Sequence, residues 1–246
     1  MSTALLRVDG IAKTFDGVEA LRGVSFTVAR GERVALIGPN GAGKTTCFNV
    51  IDGQLAPDRG EVHLRDARVD GLVPREIAAL GVGRTFQVAA TFASMTVRES
   101  VAVALCAAGG RDGALVGSIE SSMPQANALL ARLGLGALAD AHCASLAYGD
   151  AKRVELALAL ARRPVLLLMD EPTAGAGAAA RDAVMRIVAD VVRDGEAAVL
   201  FTEHDMDVVF AHADRVIVLD EGAIIAEGAP AEIRANPRVQ AAYLGG

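Results

Sequence analysis

Apolar residues in the first third of the chain occur in short runs separated by glycine-bearing turns. The runs LLRVDG, VSFTVAR and RVALIG each suit a β-strand, and together they predict antiparallel pairing near the N-terminus. After Lys44 the apolar residues recur at helical spacing, and the helix is expected to end near Asp52 and Gly53. The predicted order is therefore strands, a glycine-rich loop and a helix.

The middle of the chain, from about residue 91 to residue 163, is rich in alanine and leucine at helical spacing and predicts a helical subdomain. The glycine-bearing stretch GGRDGALVGS interrupts it. From Val165 onward, the runs VLLLMD, AAVLFT and RVIVLD predict strands of a parallel sheet, with a helix over about 179–193 and a small helix at the C-terminus. We expect residues 1–246 to form one α/β domain with subdomains.

Charge and composition exclude several classes of function. The formal net charge of −6 gives no overall basic field for a nucleic acid partner. Every long apolar run is interrupted, so no transmembrane helix is predicted, and MSTALLRVDG lacks the features of a secretory signal. We therefore expect a cytoplasmic chain. Cys47, Cys106 and Cys143 show no CxxC spacing, which predicts reduced, packed thiols rather than a zinc site or disulfides.

A phosphate-binding loop is predicted between the strand RVALIG and the following helix. The sequence GPNGAGKT, residues 38–45, fits the pattern G-x-x-x-x-G-K-[ST] in the strand-to-helix context that this motif requires. Glycines let backbone N–H groups converge on phosphate oxygens, and the helix N-terminus adds partial positive charge. Lys44 can reach the β- and γ-phosphates, and the hydroxyl of Thr45 can coordinate Mg²⁺.

Four further residues are candidates for metal binding and catalysis. Asp170 and Glu171 follow the apolar strand VLLLM, where Asp170 suits Mg²⁺ and Glu171 suits a general base for water. Adjacent carboxylates after a strand also fit a solvated turn, but the phosphate loop favours the catalytic interpretation. His204 follows AAVLFT, where it can donate to a γ-phosphate, and Gln87 in GVGRTFQ can sense water or metal.

Five spaced motifs, GPNGAGKTT, RTFQ, LAYGDAKRVELALAL, VLLLMDEPTAG and TEHD, together resemble the nucleotide-binding subunits of ABC transporters across essentially the whole chain. The resemblance implies a P-loop NTPase core of the ABC ATPase type, with an N-terminal antiparallel β subdomain and an inserted helical subdomain. It also implies that Gln87 faces the membrane subunits, that Glu171 is the general base and that His204 is the switch histidine. Phe15 stands where the family has an adenine-stacking aromatic residue, although a core aromatic remains the alternative.

The same resemblance implies a site shared between two subunits, because the family signature touches ATP held by the opposite subunit. The catalytic residues would be Lys44, Gln87, Glu171 and His204, and the Mg²⁺ ligands would be Thr45, Gln87 and Asp170. The residues expected to bind ATP are Phe15, Gly38, Pro39, Asn40, Gly41, Ala42, Gly43, Lys44, Thr45 and Thr46, together with Ala147, Tyr148 and Gly149 of the signature.

Three positions depart from the family pattern. Ala147 replaces the usual serine, so backbone N–H groups must replace the hydroxyl contact with phosphate. Asp150 replaces glutamine or glutamate, and Gly177 replaces a polar or acidic residue in the loop after the catalytic glutamate. The glycine and alanine content of that loop predicts fewer specific hydrogen bonds between the two ATP sites.

Several details resemble the branched-chain amino acid uptake subfamily, among them LAYG, TEHDMDVVF and the ending AEGAPAEIRANPRVQAAYLG. This resemblance implies an importer of branched-chain amino acids or another small polar solute. Its partners would be a second ATP-binding subunit, identical or paralogous, two transmembrane permease subunits and, indirectly, an extracytoplasmic binding protein. The chain would lie on the inner face of the membrane. The alternatives are the ATPase of a lipid or lipopolysaccharide exporter, a soluble ABC ATPase, and a module without catalysis.

Overall fold

A computed structural model describes residues 4–85, 92–108, 115–175, 177–193 and 197–244. Two short 3-10 turns, Gly136–Leu138 and Cys143–Ser145, lie between Arg132 and Tyr148. The elements follow in this order: β1 (Ala4–Phe15), β2 (Val18–Ala29), β3 (Arg33–Ile37), α1 (Lys44–Ile51), β4 (Arg59–Leu64), β5 (Ala67–Arg68), α2 (Pro74–Ala79), β6 (Val82–Thr85), α3 (Val97–Ala108), α4 (Leu115–Arg132), α5 (Tyr148–Ala161), β7 (Leu166–Asp170), α6 (Ala178–Arg193), β8 (Ala198–Thr202), α7 (Met206–His212), β9 (Arg215–Asp220), β10 (Ala223–Gly228), α8 (Pro230–Ala235) and α9 (Pro237–Leu244).

The N-terminal sheet is antiparallel and has the strand order β2-β1-β4-β5. Its long strands bury alternate side chains, as Val24, Phe26 and Val28 show in β2. This confirms the antiparallel pairing predicted for the first two strands. The prediction is wrong for RVALIG, because β3 pairs in parallel with β8 and β9 in the other sheet. Residues 34–37 are all buried, which is typical of a strand covered on both faces.

The central sheet has the strand order β10-β9-β3-β8-β7-β6. Its strands from β9 to β6 run parallel, and β10 adds an antiparallel edge. The parallel sheet predicted from VLLLMD, AAVLFT and RVIVLD is therefore confirmed. Asp170 lies opposite Thr202 in the register of β7 and β8. Because parallel strands end at the same edge of a sheet, the loops that follow β3, β7 and β8 meet there.

Alternate residues of the central strands contribute to two different apolar cores. Leu166 and Leu168 of β7 pack on the side of α1 and the N-terminal sheet. Leu167 and Met169 pack on the side of the helices α3 to α6. The central sheet is thus covered on both faces, which fixes the strand ends within a rigid frame.

The helices α3, α4 and α5 lie between β6 and β7 in the chain, where the spacing of alanine and leucine predicts helices. α4 begins at Leu115, within the glycine-bearing stretch predicted to interrupt the helices, and residues 109–114 of that stretch lie outside the described chain. The predicted terminal helix is two helices, because Pro237 cannot continue α8 and α9 starts there. Within the described residues, the helices are all too short or too polar to cross a membrane.

The three cysteines are free, and their environments predict different reactivities. Cys47 is fully buried in α1, and burial raises the pKa of its thiol to about 12. Cys143 is buried beside Ser100, with 3.3 Å between Sγ and Oγ. Cys106 is partly exposed in α3. The thiolate is the reactive form of cysteine, so Cys47 is protected by both burial and protonation.

We expect the native protein to react at about one thiol per chain in a thiol-labelling titration near pH 8, and the denatured protein to react at all three. Cys106→Ser should abolish most of the native reaction, since it removes the accessible thiol. Rapid labelling of Cys47 in the native protein, identified by peptide mass spectrometry, would show that the packing around α1 is not as described.

Candidate nucleotide-binding site

The phosphate loop, residues 38–45, connects β3 to α1 at the carboxyl edge of the central sheet. Gly41 and Gly43 have φ angles of +81° and +103°, which glycine adopts without strain. A Cβ atom on Gly38 would lie 2.1 Å from the carbonyl oxygen of Leu219, and one on Gly43 would lie 2.5 Å from that of Ala20. Only glycine fits at positions 38 and 43 of the loop. The N–H groups of the loop lie at the N-terminus of α1.

Lys44, the first residue of α1, folds its side chain back over the phosphate loop. Its Nζ donates hydrogen bonds to the carbonyl oxygens of Gly38, at 2.7 Å, and Pro39, at 3.0 Å. Burial lowers the pKa of this ammonium group, and the nearby charges of Glu171 and Asp170 oppose that shift. The cation is thus held between the loop and the two carboxylates, where it can neutralise phosphate charge.

The hydroxyl of Thr202 connects the two acidic residues that follow β7. It donates to Oδ1 of Asp170 at 2.7 Å and accepts a hydrogen bond from the backbone N–H of Glu171 at 3.0 Å. Glu171 has φ of +48°, a left-handed conformation that costs a non-glycine residue free energy. The hydrogen bond from its N–H to Thr202 helps to hold this backbone. The position from which the Glu171 side chain extends is therefore fixed.

His204 and Glu171 meet across the cleft. Nε2 of His204 lies 2.7 Å from Oε1 of Glu171, within hydrogen-bonding distance. The buried carboxylate of Glu203 fixes the preceding backbone: Oε1 accepts from N–H and O–H of Thr173 at 2.9 and 2.6 Å, and Oε2 accepts from the N–H of His204 at 3.2 Å. Asp205 then caps α7 and pairs with Arg181. Hydrogen bonds therefore fix the backbone of both His204 and Glu171.

A cleft of about 290 Å³ contains most of the predicted phosphate-binding and catalytic residues. It is lined by Ala20, Asn40, Gly41, Ala42, Gly43, Lys44, Thr45, Thr46, Glu171 and His204. The structure thus brings together side chains that lie far apart in sequence. Asp170 does not line the cleft but ends β7, next to Glu171.

The other predicted site residues lie elsewhere. Phe15 ends β1 with 41% of its surface exposed, which excludes the alternative that it is a core aromatic. Its ring lies 5.7 Å from Nζ of Lys13. Ala147, Tyr148 and Gly149 lie at the start of α5, outside the lining of this cleft. Gln87 lies outside the described residues.

Two side chains that support the site, Thr202 and Glu203, are not among the site residues predicted from the sequence. Thr202 and Glu203 stand beside His204 in the sequence, but their roles depend on the partners of β8 in the sheet. The placement of Asp170 opposite Thr202 is a property of strand register, which a motif does not contain. Carboxylates are rarely buried, so the burial of Glu203 marks it as a supporting residue. This burial is visible only in the structure and not in the sequence.

Comparison with known protein families and relatives identifies the class of this protein. The family model described as "ABC transporter" matches residues 21–174, and a model of the "Branched-chain amino acid ATP-binding cassette transporter" matches residues 223–246. The chain belongs to the ABC transporter family of ATP-hydrolysing subunits, and the predicted fold class and ATPase activity are those of that family.

Individual relatives agree with this class over the whole chain. The high-affinity branched-chain amino acid transport ATP-binding protein LivG of Salmonella typhimurium is 38% identical, with 100% of this chain and 99% of the relative covered. The lipopolysaccharide export system ATP-binding protein LptB of Acidithiobacillus ferridurans is 34% identical, with 98% and 97% covered.

Solved structures of ABC cassettes have the same fold. The crystal structure of the ADP conformation of an ATP-binding cassette of an ABC transporter has a TM-score of 0.86 and 31% identity, and 99% of each chain is covered. A dimeric ATP-binding cassette in a post-hydrolysis state, bound to ADP and Pi, has a TM-score of 0.80 and 26% identity over 92% of this chain and 98% of that one.

We expect Thr202→Val to lower the rate of ATP hydrolysis by about tenfold or more, because it removes the hydroxyl that orders Asp170 and the N–H of Glu171. Valine has nearly the same shape, so the fold should be kept. The measurement is steady-state phosphate release at saturating Mg-ATP, with nucleotide affinity measured in parallel. Thr202→Ser is the matched control and should keep most of the activity, and equal rates for wild type and Thr202→Val would contradict the assignment.

Proposed function

We propose that this chain is the ATP-binding, ATP-hydrolysing subunit of an importer for branched-chain amino acids or a related small polar solute. The observation that carries the proposal is the meeting of the phosphate loop, Asp170, Glu171 and His204 at one sheet edge. This site occurs in a chain that is 38% identical throughout to a branched-chain amino acid transport ATP-binding protein. The match of residues 223–246 to the branched-chain family model supports import over the lipopolysaccharide export of the less similar relative.

ATP is proposed to bind with its phosphates on the loop from Gly38 to Thr46 and its adenine on the exposed ring of Phe15. Lys44 would leave the carbonyl oxygens of Gly38 and Pro39 for the β- and γ-phosphates, exchanging neutral acceptors for charged ones. Gly38 and Gly43 let the loop pack against the backbone of Leu219 and Ala20, which would hold its N–H groups in place for the triphosphate. The loop is therefore suited to the charge and the shape of the nucleotide.

Mg²⁺ is proposed to be held by the hydroxyl of Thr45, the carboxylate of Asp170 and the side chain of Gln87. Phosphate oxygens of the nucleotide would complete its ligands. Hydroxyl and carboxylate oxygens are the hard donors that Mg²⁺ prefers, and one carboxylate is usual where a substrate supplies phosphates. When bound, the ion would neutralise charge on the β- and γ-phosphates.

Glu171 is proposed to act as the general base. Its Oε1 would accept a proton from the attacking water, while the water oxygen bonds to the γ-phosphorus and the bond to the ADP oxygen breaks. The hydrogen bond to Nε2 of His204 would orient the carboxylate before ATP binds, and His204 would turn to the γ-phosphoryl group once the nucleotide is bound. Lys44 would stabilise the charge of the departing ADP and the transferred phosphoryl group.

The working unit is proposed to be a dimer in which Ala147, Tyr148 and Gly149 of one subunit complete the ATP site of the other. The N-terminus of the 14-residue helix α5 offers its N–H groups without a side-chain cap. Tyr148 is 45% exposed there. Asp150 is paired with Arg153, so its charge is partly neutralised before a phosphate approaches. The dimeric form of a related cassette supports this arrangement.

The permease subunits are proposed to dock in a groove between α2, β6 and α5. This groove has a volume of about 300 Å³, and its walls include Pro74, Ile77 and Leu158. Beside it, Val73 and Leu80 flank α2 with 50% and 40% of their surface exposed, and they add apolar surface next to the groove. β6 lines the groove and ends at Thr85, two residues before Gln87 in the sequence. Docking there would place the chain on the inner face of the membrane.

The test is affinity purification from native membranes of the tagged chain. We expect two multi-span permease subunits to co-purify, together with a binding protein whose ligand is a branched-chain amino acid or a similar solute. Leu80→Glu should abolish the recovery of the permease without weakening ATP binding, because it places a charge on the apolar rim of the groove. Recovery of export components or of soluble proteins alone would overturn the import assignment and leave the ATPase intact.

A further inference from the structure

Arg84 lies in β6 between two carboxylates that belong to different parts of the fold. Its side chain is only 8% exposed. One guanidinium nitrogen, Nη1, lies 2.5 Å from Oδ2 of Asp52, and the other, Nη2, lies 3.7 Å from Oδ2 of Asp170. The guanidinium also packs 5.8 Å from the ring centroid of Phe48. Arg84 is therefore a buried cation shared between the end of α1 and the end of β7.

The two carboxylates are held independently of Arg84. Asp52, directly after α1, accepts hydrogen bonds from the backbone N–H and the side-chain amide of Gln54 at 3.2 and 2.8 Å. Oδ1 of Asp170 accepts from the hydroxyl of Thr202. The oxygen of Asp170 that remains, Oδ2, is the one that faces Arg84. The guanidinium thus acts on the free oxygen of the proposed Mg²⁺ ligand.

The groove proposed for the permease reaches the same pair of side chains. Asp52 and Arg84 are both among its lining residues, whereas Asp170 stands at the nucleotide edge of the sheet. Arg84 is therefore in contact with both the groove and the carboxylate. A charge that enters the groove changes how Arg84 is shared between Asp52 and Asp170.

We propose that Arg84 is a positioning residue that sets the Mg²⁺ affinity of Asp170 and makes it responsive to charge in the groove. The inference rests on the proposed role of Asp170 as a Mg²⁺ ligand. Asp52 offsets the positive charge of Arg84 in the buried pair, so the field at Asp170 depends on the balance of the two. Changing that balance should change metal-dependent nucleotide binding in a direction set by charge.

Two sets of substitutions are expected to change the affinity for Mg²⁺ in opposite directions. Asp52→Asn removes the carboxylate that partly offsets the charge of Arg84, so more positive charge acts on Asp170 and Mg²⁺ binds more weakly. The double variant Arg84→Gln with Asp52→Asn replaces the ion pair by neutral amides, removes the cation near Asp170 and strengthens Mg²⁺ binding. The double variant also avoids a lone buried charge, so its fold should be kept where Arg84→Gln alone leaves Asp52 unpaired.

The experiment measures the Kd of a fluorescent ATP analogue for the full-length chain, once in EDTA and once in excess Mg²⁺. The ratio of the Kd in EDTA to the Kd in Mg²⁺ reports how strongly the metal promotes binding. We expect this ratio to fall by about threefold or more in Asp52→Asn and to rise by about threefold or more in the double variant. A purely structural role would weaken binding in both variants and would not move the ratio in opposite directions.

Two further variants complete the test. Arg33→Gln with Asp214→Asn removes another arginine–aspartate pair, whose nitrogen and oxygen lie 2.7 Å apart, and should leave the ratio unchanged. Asp170→Asn should lower it strongly. If Asp170→Asn lowers the ratio while the Asp52 and Arg84 variants shift it together or not at all, the role of Arg84 is overturned alone. If Asp170→Asn has no effect, the Mg²⁺ role of Asp170 fails and the inference fails with it.

Discussion

The parallel register of β3, β7 and β8 is the constraint on which the site depends. It places Gly38, Glu171 and Glu203 at the same edge, each directly after a strand that is buried on both faces. Since the strands cannot slide without moving two apolar cores, the loops that follow them start from fixed points. The hydroxyl of Thr202 then joins β8 to β7 at the edge itself. Catalytic geometry here is a consequence of sheet packing.

Much of this arrangement was predictable, because the residues that contact phosphate lie in one continuous loop. The pattern GPNGAGKT fixes strand, loop and helix together, and VLLLMDE similarly places its carboxylates after a buried strand. The strand RVALIG was assigned to the wrong partners, since a run of apolar residues does not show which strand lies beside it. Its complete burial distinguishes it from the half-exposed β1 and β2 only once the fold is known.

The supporting contacts were not predictable for the same reason. Arg84 and Asp52 are 32 residues apart and pair because β6 passes the end of α1. Thr173 and Glu203 are 30 residues apart and pair across β7 and β8. Tyr148 of the signature packs against Gly175, where an added Cβ atom would lie 3.2 Å from the ring. This contact joins α5 to the loop after Glu171 within one subunit, although that loop has few polar residues of its own.

The most direct test of the account is whether ATP joins two copies of this chain when hydrolysis is blocked at Glu171. In Glu171→Gln the amide keeps the shape of the side chain but cannot take the proton from water. Analytical ultracentrifugation with ATP and Mg²⁺ should show a dimer for this variant, with monomers in ADP, and phosphate release should be reduced by about a hundredfold or more. Undiminished turnover, or a monomer with ATP bound, would contradict the placement of Glu171 and the shared site.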